Sequence, residues 1–316
     1  MCTCKAMLHM QRGAALLTAM VIVTLVATLA AAMVWQQWRA VRVEEIERGR
    51  MQAAWILSGG LDWARLILRE DARNAGADHL GEPWAVPLAE ARLSTFLAAD
   101  KDSTDDSPDA FLSGTITDAQ SRYNLRNLVD EDKVRAADLA ILKRICEMAG
   151  VSTGVADRLA TGLRDALRAS TDVDGNPPLM PVSLNQLDWL QLDRDSIRRL
   201  SPHVVLLPVR TPVNLNTAAR EVIAATIEGL DLGSAERLLQ VRQRTPFKNL
   251  DEVKAELPSN VTLSDGQVDT RSRFFEVLGR LRIEDRVLQE RSLVERRDLD
   301  VLTLRRERVN VNDAGS

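Results

Sequence analysis

The stretch AALLTAMVIVTLVATLAAAMVW, residues 14–35, runs for 22 residues without a charge. A run of that length and composition is long enough to span a bilayer as a helix. It opens directly after Arg12-Gly13 and closes before Gln36-Gln37-Trp38-Arg39, with Trp35 and Trp38 where an interfacial aromatic belt belongs. No proline occurs before Pro83, and the residues beyond the run keep a helical period: Ala53, Leu57, Leu61, Ala64 and Leu68 recur at steps of three and four. The spacing predicts one helix from Ala14 into the Leu61–Leu68 region, on the order of 80 Å at about 1.5 Å per residue. Gly59-Gly60 is the expected bend, because glycine weakens a helix interior.

Three readings of this amino terminus compete. It is a plain membrane anchor, or a signal peptide cut after Ala30-Ala31-Ala32, or a prepilin-type leader. In the third reading the basic segment MCTCKAMLHMQRG is cut between Gly13 and Ala14 and the apolar helix is retained. The run exceeds a normal signal-peptide core and its period continues into the mature side, against the second reading. Charge flanks do not decide: Lys5 and Arg12 precede the run, while Arg39, Arg42, Arg48 and Arg50 follow it, which mildly opposes an N-in orientation.

Farther along, residues 100–109 (DKDSTDDSPD) read as a solvated loop and Ala110–Thr117 as a weak strand. Asn124 and Asn127 suit turns and caps. From Asp130 to Arg168 the pattern is helical, through Val134, Leu139, Leu142, Ile145, Val155, Leu159 and Leu163. Ser170–Pro181 breaks it; Ser183 then opens a helix, and a short one follows over Asp193–Leu200. Asn216 or Thr217 is expected to cap a helix over Ala218–Ile227, with Glu221 in a capping-box position. Ser234 is expected to cap Ala235–Arg244, and Leu250–Leu257 gives a third short helix. Alternation through Phe275, Val277, Leu281, Ile283, Leu293, Leu299, Val301 and Leu304 predicts short antiparallel strands at the carboxy end. The expected plan is a membrane helix, a small sheet, a helical insertion, and strands returning to the same sheet.

That plan and five segments in order resemble the type II secretion minor pseudopilins of the K class, the general secretion pathway protein K family. The segments are QRGAALLTAM, TDAQSRYNLRNL, TPVNLNTAAREVI, LLQVRQRTPFKNLDEV and RFFEVLGRLRIED with SLVERR. The resemblance implies an α+β fold: a long N-terminal transmembrane helix and a pilin-like antiparallel sheet with a large helical insertion. It implies a leader over 1–13, a helix over 14–72 that crosses the membrane at 14–35, a pilin-like domain from 73–124 and 265–316, and an inserted helical domain over 125–264. Cleavage by a prepilin peptidase, with methylation, would fall between Gly13 and Ala14. The fifth mature position would be Thr18, where other pseudopilins carry a glutamate that neutralises a neighbour's terminal ammonium inside the membrane. Thr18 cannot do so, and an uncompensated charge in hydrocarbon is costly, so the subunit fits the fibre tip. The implied partners are the I- and J-class minor pseudopilins, other pseudopilins and the inner-membrane platform. The implied location is the inner membrane, single-pass, with the globular part in the periplasm, and the implied task is support of protein export across the outer membrane. Relatives carry calcium sites and a disulfide in the insertion. Here Asp172, Asp174 and Asn176 offer oxygen ligands on a glycine turn, though a polar turn explains them as well, and the lone Cys146 forbids an intrachain disulfide once the leader is gone.

The residues offer no catalytic constellation: no H-E-x-x-H, G-x-S-x-G, P-loop or G-x-G-x-x-G occurs. A non-enzymatic scaffold with no cofactor, calcium apart, is therefore expected. His79 and His203 read as surface or packing residues, Cys146 as a buried inert thiol, and Cys2 and Cys4 as part of the leader. One rival class is a membrane-anchored DNA-binding or uptake protein, since residues 214–250 resemble a helix-hairpin-helix module, which grips phosphates through backbone amides. Asp231 would place a negative charge on that phosphate. Only six of the 41 basic residues are Lys, and removing Lys5 and Arg12 takes the net charge from −4 to −6. Counterion release needs clustered basic residues, so no nucleic-acid partner is expected.

Overall fold

A computed structural model of the chain describes residues 11–74, 76–93, 110–169, 179–284 and 286–309. It divides into two compact units, Met1–Ile56 and Leu57–Ser316. Helix α1, Gln11–Arg73, runs for 63 residues and is continuous through Gly59-Gly60. In the first unit its apolar window has a mean hydropathy of 2.4 and is 0% buried. The three threonines of the run satisfy their hydroxyls on their own helix. Thr18 Oγ1 donates to the carbonyls of Ala14 and Ala15, Thr24 to Met20 and Val21, and Thr28 to Leu25. No hydroxyl in the run then needs water, as a lipid environment demands.

The second unit is organised by a five-stranded antiparallel sheet. Its strands are β1 (Leu88–Arg92), β2 (Ala110–Asp118), β3 (Phe274–Ile283), β4 (Arg286–Arg297) and β5 (Asp300–Val309), and their order in space is their order in the chain. Residues 119–273 are inserted between β2 and β3, whose ends are paired at Asp118 and Phe275. The predicted strand at 110–117 and the predicted carboxy-terminal strands are all present, and the α+β plan holds.

Successive residues of a strand face opposite sides, and the doubled apolar pairs use this. Phe275 and Val294 join Val277, Val301, Trp84 and the α1 residues Leu61, Ala64 and Leu68 in one core. Their neighbours Phe274 and Leu293 join Ala119, Val205 and Leu207 of the insertion in another. Trp84 meets Phe275 edge-on, with ring centroids 5.2 Å apart. All five residues of the predicted stripe, from Ala53 to Leu68, are buried. Gly279 permits the close approach of α1, because a Cβ there would stand 3.2 Å from Leu57 Cδ2.

The insertion has a core of its own, built from Leu125, Leu142, Leu159, Leu163, Val222 and Leu238 among others. Its helices are α2 (Ala136–Met148), α3 (Gly154–Ala169), α4 (Arg194–Leu200), α5 (Arg220–Thr226), α6 (Leu232–Arg244) and α7 (Leu250–Glu256). Three expectations are corrected. The stretch from Asp130 is not helical throughout: Val129–Asp130 pairs with Lys133–Val134 across a two-residue turn, and Gly150, at φ 66°, separates α2 from α3. Left-handed backbone suits glycine because it carries no Cβ. Ser183 opens a 3-10 helix, Leu184–Leu190, rather than an α-helix. Helix α5 starts at Arg220 and has no side-chain cap, because Asn216 and Thr217 are committed elsewhere.

Candidate functional site

At the fork where the insertion leaves the sheet, polar residues from five segments meet. Asp118, at the end of β2, is buried. Its Oδ1 accepts the backbone N–H of Gln120 at 2.7 Å. Its Oδ2 accepts from Ser272 Oγ at 2.6 Å, Thr217 Oγ1 at 2.6 Å and Asn214 Nδ2 at 3.0 Å. Gln120 closes the same fork: its Oε1 accepts the Arg273 N–H at 2.7 Å and its Nε2 donates to the Pro212 carbonyl at 3.1 Å. Asn216 Nδ2 donates to the Phe247 carbonyl while its Oδ1 accepts the Phe247 N–H, both at 2.9 Å. A buried polar group costs free energy unless its partners are supplied, and here the partners come from loops that would otherwise be free to part.

Ser272 extends the network toward α1. Its N–H donates to Asp78 Oδ2 at 2.7 Å, and Arg296 of β4 donates to Asp78 Oδ1 at 2.5 Å, to Asp71 Oδ2 at 2.7 Å and to the Ser272 carbonyl at 2.8 Å. The guanidinium also lies 4.9 Å over the Phe275 ring. Burial pushes the Asp118 carboxyl up to about 6 against the pull of its hydroxyl donors. Burial likewise raises Asp78, with Arg296 opposing. Glu82 is pushed up to about 7, again by burial, although it accepts from the His79 N–H and Trp84 Nε1. Carboxylate oxygens of Asp71, Asp78 and Glu82 lie within 4.8 Å of one another. Arg296 already supplies the positive charge that two of them need, so the arrangement is a clamp rather than an open ligand set.

The residues singled out from sequence fall elsewhere. Gly13 and Ala14 lie within the range of α1, and Thr18 spends its hydroxyl on the preceding turn. Asp172, Asp174 and Asn176 lie outside the described residues, as do Cys2 and Cys4. Cys146 is buried and its thiol is pushed up to about 11 by burial, so it stays protonated at neutral pH. His203 is half-buried, and burial lowers its pKa.

The hairpin between α5 and α6 also differs from expectation. The cap of α6 is Asp231, not Ser234: its Oδ1 accepts the Ser234 N–H at 2.6 Å and the helix begins at Leu232. A backbone amide that a phosphate would need is thereby filled by the protein's own carboxylate. Three nearby arginines are engaged as well. Arg220 pairs with Glu221 and Glu236, Arg237 donates to Ser234 Oγ, and half-buried Arg242 donates to the Leu215 carbonyl. Burial lowers Arg242 to about 10. The segments that carry the resemblance hold Asp118, Asn214 and Arg296, with nothing in them to show that the three meet, while Asp78 and Ser272 lie outside every segment singled out. The available signal was Asn and Asp set among apolar residues in TDAQSRYNL and PVNLN.

The chain is similar to known proteins in sequence and in fold. Residues 213–270, which supply Asn214, Thr217 and the hairpin, match the family described as type II secretion system protein K. The type II secretion system protein K of Pseudomonas aeruginosa is 29% identical over 87% of this chain and 86% of its own length. That of Pectobacterium carotovorum is 26% identical over 90% and 92%, and that of Klebsiella pneumoniae 29% identical over 77% and 78%. A chain in the crystal structure of the GspK–GspI–GspJ complex from the type 2 secretion system of enterotoxigenic Escherichia coli superposes with a TM-score of 0.63. It covers 84% of this chain and 98% of that one at 19% identity, a likeness of fold.

Proposed function

We infer that the chain is a member of the type II secretion system protein K family and acts as a minor pseudopilin of the secretion pseudopilus. The carrying observation is the near end-to-end match to the Pseudomonas aeruginosa protein K, over 87% of this chain and 86% of that one. The fold supports it: an apolar helix with a 0% buried window leads into an antiparallel sheet that carries a helical insertion. In this reading α1 anchors the protein in the inner membrane as a single span, and the unit beyond it lies in the periplasm. A prepilin peptidase cuts between Gly13 and Ala14. The mature subunit then joins the I- and J-class minor pseudopilins, the classes that share the crystal complex of the fold relative.

The task is mechanical and binding, with no chemistry assigned to a side chain. Thr18 sets the place in the fibre. A threonine whose hydroxyl is bonded to its own helix offers no carboxylate to a neighbour's ammonium, which suits a subunit with no neighbour above it. The test is co-elution of the detergent-solubilised full chain with the I- and J-class pseudopilins of its own system, run beside Thr18→Glu in a secretion assay. Co-elution with wild-type secretion, and altered fibre length in Thr18→Glu, is the expected result. Failure to co-elute overturns the pseudopilin reading, and an unchanged fibre removes the tip argument while leaving the rest.

A further inference from the structure

Beyond the apolar run, four side chains share one face of α1 at positions 35, 38, 39 and 42, the i, i+3, i+4, i+7 spacing of a helix face. They are stacked in two pairs. The Arg39 guanidinium lies 4.0 Å from the centroid of the Trp35 ring, and the Arg42 guanidinium 5.3 Å from that of Trp38. Both rings are more than half exposed. Arg42 also approaches Glu45, at 3.6 Å; Arg39 makes no ion pair among the described residues.

We propose that Trp35, Trp38, Arg39 and Arg42 form a collar that binds phospholipid headgroups at the outer surface of the inner membrane and fixes the depth of the helix. The proposal rests on the reading of α1 as a membrane anchor. From Ala14 to Trp35 the helix rises roughly 32 Å, and a hydrocarbon core is about 30 Å thick. Trp35 therefore stands at the edge of the hydrocarbon when Ala14 stands at the other edge. Arg39 lies ~6 Å and Arg42 ~10 Å farther along the axis, across and at the outer limit of a headgroup layer about 5–8 Å deep.

Side-chain direction sharpens the assignment. Helical side chains lean toward the N-terminus, which here is the membrane side, so each arginine reaches back toward the lipid rather than away into water. An arginine drawn that way needs compensation. The ring face beneath it supplies part, and a lipid phosphate accepts the guanidinium N–H groups at the level of the ring. The same feature answers the charge imbalance in the sequence. The first two arginines after the span are bound at the interface. The next two are paired on the helix, Arg48 with Glu44 and Arg50 with Glu47.

The test reconstitutes the full chain at low density into vesicles of phosphatidylethanolamine and phosphatidylglycerol, with Trp35→Phe/Trp38→Phe as the reference. The difference in emission isolates these two rings from the other tryptophans. Quenchers are placed on the headgroup, high on the acyl chain, and near its terminal methyl. The expected result is strong loss of the difference emission with the first two and little with the third. In Arg39→Glu/Arg42→Glu, which repels phosphate, headgroup quenching is expected to fall. If deep quenchers act most, if charge reversal changes nothing, or if no lipid probe reaches rings covered by a neighbouring helix, the collar is overturned while the anchor stands. If the chain does not float with the vesicles at all, the anchor reading fails with it.

Discussion

Replacing Arg296 with alanine tests the clamp at the root of the insertion. The side chains of Arg296, Asp71 and Asp78 are 12%, 9% and 2% exposed. Removing the cation leaves two carboxylates in that setting without a counter-charge, strips a donor from the Ser272 carbonyl, and uncovers the Phe275 ring. Breaking a buried pair by deleting one partner costs about 3–5 kcal/mol. With a urea m-value of about 3 kcal/mol/M for a domain of this size, that moves the unfolding midpoint down by roughly 1–1.7 M. The assay is urea unfolding followed by tryptophan fluorescence, since Trp84 packs on Phe275 at the centre of the affected core. Adding Asp78→Asn to the variant removes one stranded charge and is expected to restore part of the loss. Acidification is expected to shrink it too, because Asp78 takes up a proton more readily once Arg296 is gone. A loss below about 1 kcal/mol, the range of exposed ion pairs, would refute the clamp.

Three further outcomes follow from the same structure. Glu82, raised to about 7 from 4.5, and Asp118, raised to about 6 from 3.8, hold their protons in the folded chain at pH values where the unfolded chain has released them. Their penalty is absent below the unfolded values and complete above the folded ones, so their contribution to stability falls as pH rises from about 4 to 7; carboxyl NMR midpoints in the ordinary range for both would contradict this. Asp231→Ala is expected to cost about 1 kcal/mol as a lost N-cap, whereas Ser234→Ala, which keeps the capped N–H, is expected to cost less; thermal melts decide the order. Asp298→Gly is expected to stabilise the β4–β5 turn by about 1 kcal/mol, since Asp298 sits at φ 52° and left-handed backbone penalises a Cβ; an unchanged melting temperature would count against it.

Much of the architecture was readable because it is written in periods. The stripe Ala53 to Leu68 repeats at the pitch of a helix, and the strands around Phe275, Leu281 and Val301 alternate at the period of a sheet. Whole-chain order then implied that strands before and after the helical stretch share one sheet. Local chemistry was less decisive. Asp231 and Ser234 are both good caps and lie three residues apart, so composition alone could not choose which one opens α6. Asn216 and Thr217 look like caps but serve Phe247 and Asp118, partners 31 and 99 residues away. Arg296 and Asp78 are separated by 218 residues, and no window of sequence displays such a pair.

The insertion leaves the sheet at Asp118 and returns at Phe274, on neighbouring strands and at the same end. A load borne by the insertion would therefore reach β2 and β3 as a pull on two adjacent strand ends. In that direction the ladder opens one rung at a time, like a zipper, instead of sharing the strain across all its rungs as it does in shear. The bonds from Asp118 to Ser272, Thr217 and Asn214, and from Gln120 to Arg273, sit at the first rung. They act as the stop of the zipper, so the force the insertion can withstand is set less by the sheet than by one buried carboxylate and the hydroxyls around it.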